Sequence, residues 1–390
     1  MTTETLRSFA LPASAAKRSL AAYIHIPFCA ARCGYCDFNT YTHTDFGGGA
    51  SAAAFAATIC HEIDASADLL GEVQPLTSVF FGGGTPTMLP ATDLVALLNH
   101  LRRVFGIADG AEVTIEANPE SVTPASLSEL YAGGFNRVSF GMQSAVPHIL
   151  ATLERAHTPG NVRAAAVAAR ELGFDYSLDL IYGTPGETMG DWEESVNAAI
   201  ELQPQHISAY ALTVEPHTPM GRAIARGELA QPDPDDQADK YERADELLSA
   251  AGYEWYEISN WAQPGHESRH NVNYWKNGNW WGYGPGAHSH IDGVRWWNLK
   301  HPVAYAKVLE EYRLPIADCE YLTSQEIREE CLLMGIRLRT GIDIPSGTDS
   351  QILDELIADG LIDSDAVNRG CVQLTRTGRL LADVVTRALW

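Results

Sequence analysis

The chain has 390 residues, room for two or three domains at about 150 residues each and for a large buried core. Hydrophobic residues make up 45% and charged ones 20%, which excludes a disordered or fibrous chain. Asp+Glu number 50 against 27 Lys+Arg, a formal charge of -23; so acidic a surface argues against nucleic acid as principal partner, a local basic patch aside.

Short β-branched runs recur at 22–26, 78–81, 112–116, 137–141, 177–182 and 206–212, with Ala-rich or amphipathic stretches at 52–70, 92–105, 124–131, 161–172 and 191–202 between them. Strand followed by helix, repeated, predicts a parallel sheet with right-handed crossovers, here an α/β partial (β/α)6 barrel. Residues 46–54 read as a Gly/Ala-rich loop entering the first helix, and 231–239 as an acidic connector into a helix at 241–250. Composition then changes: 253–301 holds seven of the nine tryptophans. Helical pattern returns at 323–338 and 350–361, followed by a hairpin-like stretch near 372–374. The expected organisation is an N-terminal tail over 1–19, the barrel over 20–252, an aromatic-rich extension over 253–317 and a small helical, winged-helix-like unit over 318–390.

No run approaches the ~18 apolar residues of a membrane span. Glu4, Arg7, Lys17 and Arg18 interrupt the first twenty residues, against a signal peptide. Seven cysteines, three of them crowded at 29, 33 and 36, suit a reducing compartment and a metal site better than a disulfide framework, and the cytoplasm is the expected location.

In such a barrel, function collects at the C-terminal strand ends. Cys29 follows the first strand, Gly82, Gly83 and Gly84 the second; Glu116 closes the third, Gln143 follows the fourth and Asp179 lies near the end of the fifth. Cys29, Cys33 and Cys36 form C-x3-C-x2-C, three thiolates able to hold three corners of a cubane and leave one iron open. Zinc would favour paired C-x2-C with a fourth Cys or His. Cys60, Cys319, Cys331 and Cys371 stand alone and read as inert thiols.

Over about 20–250 the chain resembles the radical S-adenosylmethionine (SAM) superfamily, whose signature is this spacing after the first strand. The resemblance implies a 4Fe–4S cluster on the three cysteines, with the open iron chelating the amino and carboxylate groups of SAM. It also implies SAM contacts at Gly83, Gly84 and Thr85 of the run GGGTPT, and at Glu116, Gln143, Arg155 and Asp179, with Tyr23 and Tyr35. Glycines there let backbone groups approach a ligand, and Arg155 can pair with a carboxylate. Each residue alone also reads as a tight turn, a surface charge or a cap.

The runs HIPFC, GGGTPT and DLIYGTPGET together resemble the oxygen-independent coproporphyrinogen III dehydrogenases and their relatives, the heme chaperones of the HemW type. The dehydrogenases carry a further cysteine where this chain has Phe38, and a longer segment before the barrel; 22 residues precede Tyr23 here. Both departures favour the chaperone, with no catalytic residue assigned and porphyrin decarboxylation, or radical chemistry on another substrate, as the alternatives. His270, Asn271, Tyr274 and Trp275 match the chaperones' H-N-x-x-Y-W motif, which makes His270 the candidate heme ligand, with His288 and His25 as rivals. A neutral imidazole ligates heme iron well, although a lone His is more often structural. Trp275, Trp280, Trp281, Trp296 and Trp297, with Tyr274 and Tyr283, are expected to cover a porphyrin, and Arg269, Lys276 and Arg295 to meet its propionates. The partners implied are heme and apo-hemoproteins, among them membrane-bound respiratory cytochromes reached by transient contact. Monomer and homodimer stay open.

Overall fold

The computed structural model of the chain describes residues 9–12 and 19–390. Of the tail read over 1–19, only 9–12 and 19 fall within them; Glu4, Arg7, Lys17 and Arg18 lie outside. Six strands run parallel in chain order: β1 (Leu20–Ile26), β2 (Leu76–Gly83), β3 (Ile107–Ala117), β4 (Arg137–Gln143), β5 (Asp175–Tyr182) and β6 (His206–Ala211). The crossovers carry the helices Ala52–Leu70, Ala91–Phe105, Pro124–Ala132, Pro159–Leu172 and Met189–Glu201. Two of these start two residues before their apolar period, because Thr158 and Thr188 close capping boxes with Asn161 and Asp191.

Register sets Ile24 beside Phe81 and Phe81 beside Ile115, so alternate side chains form two layers. Ala22, Ile24 and Ile26 belong to one apolar core with Phe55, Ile59 and Ile63 of the first helix. Tyr23 instead points into the barrel.

The sheet does not close. Antiparallel β7 (Glu254–Glu257) and β8 (Asn260–Ala262) extend it past β6. On the other side β9 (Asn279–Tyr283) joins β1 in parallel, followed by antiparallel β10 (His288–Ile291), β11 (Val294–Asn298) and β12 (Ile316–Tyr321). The fold is the expected partial barrel, and the tryptophan-rich segment widens its sheet at both edges instead of forming a layer apart.

β12 spans the boundary read at 317/318. Beyond it, helices Ser324–Gly335, Ser350–Ala358 and Ala382–Ala388 enclose a separate core that includes Leu332, Ile336, Leu353, Leu356 and Val385. The stretch near 372–374 does not fold back on itself: Cys371–Val372 pairs with Ile342–Asp343, and Leu374 bridges to Ile362. This unit docks through Arg379, which donates to both Asp245 carboxylate oxygens at 2.9 and 2.8 Å and lies 4.4 Å over the Trp255 ring. Among the described residues, no helix is long and apolar enough to cross a membrane.

Candidate functional site

The loop after β1 is pinched at its base. Cys29 N–H donates to Tyr41 O at 3.0 Å and Tyr41 N–H to Pro27 O at 2.7 Å, while Phe28 is buried edge-on against Phe55. The three cysteines lie within this closed loop, with Cys36 N–H turned back to Cys33 O at 3.2 Å. The turn after β2 packs directly on it: Gly84 N–H donates to Ile26 O at 2.7 Å and Thr85 N–H to Phe28 O at 2.8 Å. A Cβ on Gly84 would stand 2.6 Å from Phe28 O and 3.0 Å from Cys29 Sγ, so glycine there is a requirement of close approach. Gly83 holds φ +111°, and a Cβ on it would meet the His25 ring at 2.5 Å.

Arg155, in the loop before helix Pro159–Leu172, reaches back over the cysteines. It donates to Cys33 Sγ at 3.4 Å, Asn118 Oδ1 at 2.6 Å and Gly141 O at 3.1 Å, and its buried Nε has no partner. Asn118 in turn donates to Thr85 Oγ1 at 3.1 Å, tying the Gly-rich turn to the arginine. Asn118 was legible only as part of the string TIEANPE, where nothing marks it out.

Glu116 accepts from Gly83 N–H at 3.1 Å; burial and then nearby Asp179 push its carboxyl up to about 7. Asp179 accepts from Ser139 and Ser208, each at 2.8 Å, and burial raises its pKa against those bonds. Burial raises the Cys29 and Cys36 thiols too, and that of the Tyr35 phenol beside Cys33. Gln143 ends β4 in the left-handed region at φ 62°. Tyr23 OH pairs with His25 Nδ1 at 3.1 Å.

All these residues line one cavity of about 550 Å³: Cys29, Cys33, Cys36, Tyr23, Tyr35, Gly83, Gly84, Thr85, Glu116, Gln143, Arg155 and Asp179, with His270 at its far end. Among the described residues no three His, Cys, Asp or Glu groups gather tightly enough for a single metal ion. Three cysteine thiols on one cavity wall are a donor set that fits a cluster, in which each would hold a different iron. The orphaned Nε of Arg155 is a buried cationic donor available to an anionic group there.

The helix Arg269–Trp275 plugs the bottom of the barrel. Glu112 of β3 accepts from Ser268 Oγ at 3.2 Å, Arg269 N–H at 3.0 Å and His270 N–H at 3.0 Å. Both ring nitrogens of His270 are engaged, Nδ1 with Ser78 Oγ and Nε2 with Tyr274 OH, each at 2.8 Å, and the ring stacks on Phe80 at 5.1 Å. Burial pushes its pKa down to about 3, so the imidazole is neutral. Asn271 donates to Tyr256 OH and Glu257 Oε1 at 3.2 and 2.9 Å. His25, the rival in β1, is also occupied at both nitrogens, the second by Asn39 O at 3.0 Å.

The aromatic shelf differs from expectation. Trp281, Tyr283 and Trp296 are fully buried and cannot cover a porphyrin, because strand alternation turns them into the core on the side of helix Ala52–Leu70. That seam is held by Glu62, which accepts from Gly284 N–H at 2.9 Å, Asn298 Nδ2 at 2.7 Å and the Tyr305 hydroxyl. Trp280 and Trp297 keep part of their surface. Of the expected propionate partners, Arg295 is already paired with Glu320 and Glu330, and Arg269 donates to Gly110 O.

Residues 23–199 match the model of the radical SAM superfamily. Over 370 residues, 94% of each chain, the protein is 46% identical to the heme chaperone HemW of Mycobacterium tuberculosis. It is 35% identical to HemW of Bacillus subtilis over 376 residues, 93% of this chain and 97% of that one. Among solved structures, coproporphyrinogen III oxidase (HemN) from Escherichia coli, described as a radical SAM enzyme, superposes with a TM-score of 0.83 at 25% identity, covering 97% of this chain and 91% of that chain.

Proposed function

Because this chain belongs to the HemW family of heme chaperones, within the radical SAM superfamily, we propose that it binds heme and passes it to apo-hemoproteins such as respiratory cytochromes while holding a 4Fe–4S cluster and SAM in the barrel mouth. Cys29, Cys33 and Cys36 would hold the cluster, which would supply an iron site for SAM. The observation that carries this reading is Arg155: its guanidinium lies on Cys33 Sγ with one buried nitrogen unused, ready for the SAM carboxylate. Gly83 and Gly84 leave backbone room beside the cysteines, Glu116 and Asp179 offer acceptors to ammonium and hydroxyl groups, and Tyr23, Tyr35, Thr85 and Gln143 complete the wall.

At about 550 Å³ the cavity suits one drug-sized ligand, since such pockets run to roughly 300–1,000 Å³. With the cluster and SAM inside, heme needs another surface. His270 would serve as an iron ligand only if Ser78 or Tyr274 first released a ring nitrogen.

A second reading, oxidative decarboxylation of coproporphyrinogen III, draws on the likeness to the E. coli oxidase. Two measurements on anaerobically reconstituted protein separate them: iron and sulfide content with a hemin titration, and incubation with SAM, reductant and coproporphyrinogen III. The chaperone reading expects about four irons per chain, stoichiometric hemin binding and no protoporphyrinogen. Hemin that fails to bind, or porphyrin turnover, overturns it.

A further inference from the structure

Of the thirteen histidines, most are tied by ring hydrogen bonds or carboxylate contacts; His43, His61, His217 and His288 have neither among the described residues. His288 differs from the other three in its setting. It opens β10 directly opposite Trp297 of β11, with ring centroids 5.6 Å apart and planes 25° from parallel. Trp280 of β9 donates its indole N–H to His288 O at 2.9 Å and packs on His290 at 5.2 Å, so two half-exposed indoles frame one exposed imidazole. His43 makes its ring contact with Phe46.

Charge around the imidazole is equally specific. Arg295 and Lys300 are its cationic neighbours and Glu320 its anionic one. Arg295 is neutralised by Glu320 and Glu330, whereas the exposed Lys300 ammonium has no ion-pair partner among the described residues. Partial burial and these cations hold His288 below the usual histidine range, which keeps it neutral and able to ligate. The patch lies beside the cysteine loop: Asn39 donates from that loop to Pro285 O and Lys300 O, each at 2.9 Å.

We infer that heme docks outside the barrel on this inner face of β9–β11, with His288 as the iron ligand, the half-exposed Trp297 and Trp280 edge-on beside the macrocycle, and Lys300 at a propionate. The inference rests on the heme-binding reading above and names its site. An apolar macrocycle matches the indoles, two carboxylates match an unpaired lysine, and a five-coordinate iron takes a free imidazole nitrogen without breaking an existing bond.

Hemin titration of the full-length protein, read by the Soret band, tests this. His288→Ala is expected to weaken binding at least tenfold and abolish the histidine-ligated spectrum, and His288→Met to bind with a shifted Soret maximum, a signature that a merely structural residue does not produce. Lys300→Ala weakens binding a few-fold without moving the band, and His61→Ala changes neither. An unaltered Soret maximum and affinity in both His288 variants overturn the site while leaving heme binding intact, and so does loss of the ligated spectrum in His270→Ala alone. A wild-type protein that binds no hemin removes the heme-binding reading itself.

Discussion

Inside the six parallel strands the inward positions are polar, buried and mostly paired: Asp179 with Ser139 and Ser208, Glu116 with Gly83, His270 with Ser78. On β9–β11 the same pleat carries Trp280, His288 and Trp297, partly exposed, with an imidazole that stacks on Trp297 and has no ring hydrogen bond among the described residues. One sheet therefore offers two chemically distinct surfaces. The enclosed half can desolvate a small charged ligand among fixed donors and acceptors, and the open half can receive a flat apolar one. The two buried glutamates repeat the contrast. Glu62 at the seam of the extension accepts from three groups and serves packing, whereas Glu116 accepts from one backbone N–H and retains capacity toward the cavity.

The largest effect that can break this division is at the cysteines. Cys29→Ser should remove nearly all iron and sulfide from the anaerobically reconstituted protein while hemin affinity stays within twofold; loss of both together would join the surfaces into one site.

Glu62 gives the next effect. Burial raises its carboxyl to about 7, whereas an unfolded glutamate releases its proton near pH 4.3. The folded chain thus holds more protons between those values, and stability falls as pH rises through that interval, by on the order of 3 kcal/mol from this group. Urea unfolding at pH 5 and pH 8 should show a smaller difference in Glu62→Gln than in the wild type. An equal difference in both proteins would place the pH response elsewhere.

Arg155→Ala removes a charged donor from the proposed SAM side alone. The expected cost is about 2 kcal/mol, a drop in SAM affinity of roughly thirtyfold by equilibrium dialysis, with the Soret band unmoved. The smallest change is His270→Ala. It leaves the Ser78 and Tyr274 hydroxyls without their shared partner and should lower stability by about 1–2 kcal/mol in chemical denaturation.

The barrel was readable because its signals are local. Strand runs alternate with amphipathic helices, Thr caps sit where helices begin, and three cysteines with a glycine turn follow successive strands, so chain order alone brings them to one end. The extension was not readable to the same degree. Trp280 and Trp281 are neighbours in sequence, and only the position of helix Ala52–Leu70 decides which of them faces the core. β9 lies parallel to β1 across some 250 residues, a pairing that no local pattern encodes. The partners of His270 come from β2 and from its own helix, so its engagement was invisible to motif reasoning.

Residue spacing by itself determined the three-cysteine loop and the close-approach glycines, because those features depend on short-range geometry. Which tryptophans are buried, which carboxylates hold a proton near neutrality and which imidazole keeps a free nitrogen were decided by tertiary packing. Burial and hydrogen-bond partnership belong to segments far apart in the chain that meet only when the sheet assembles.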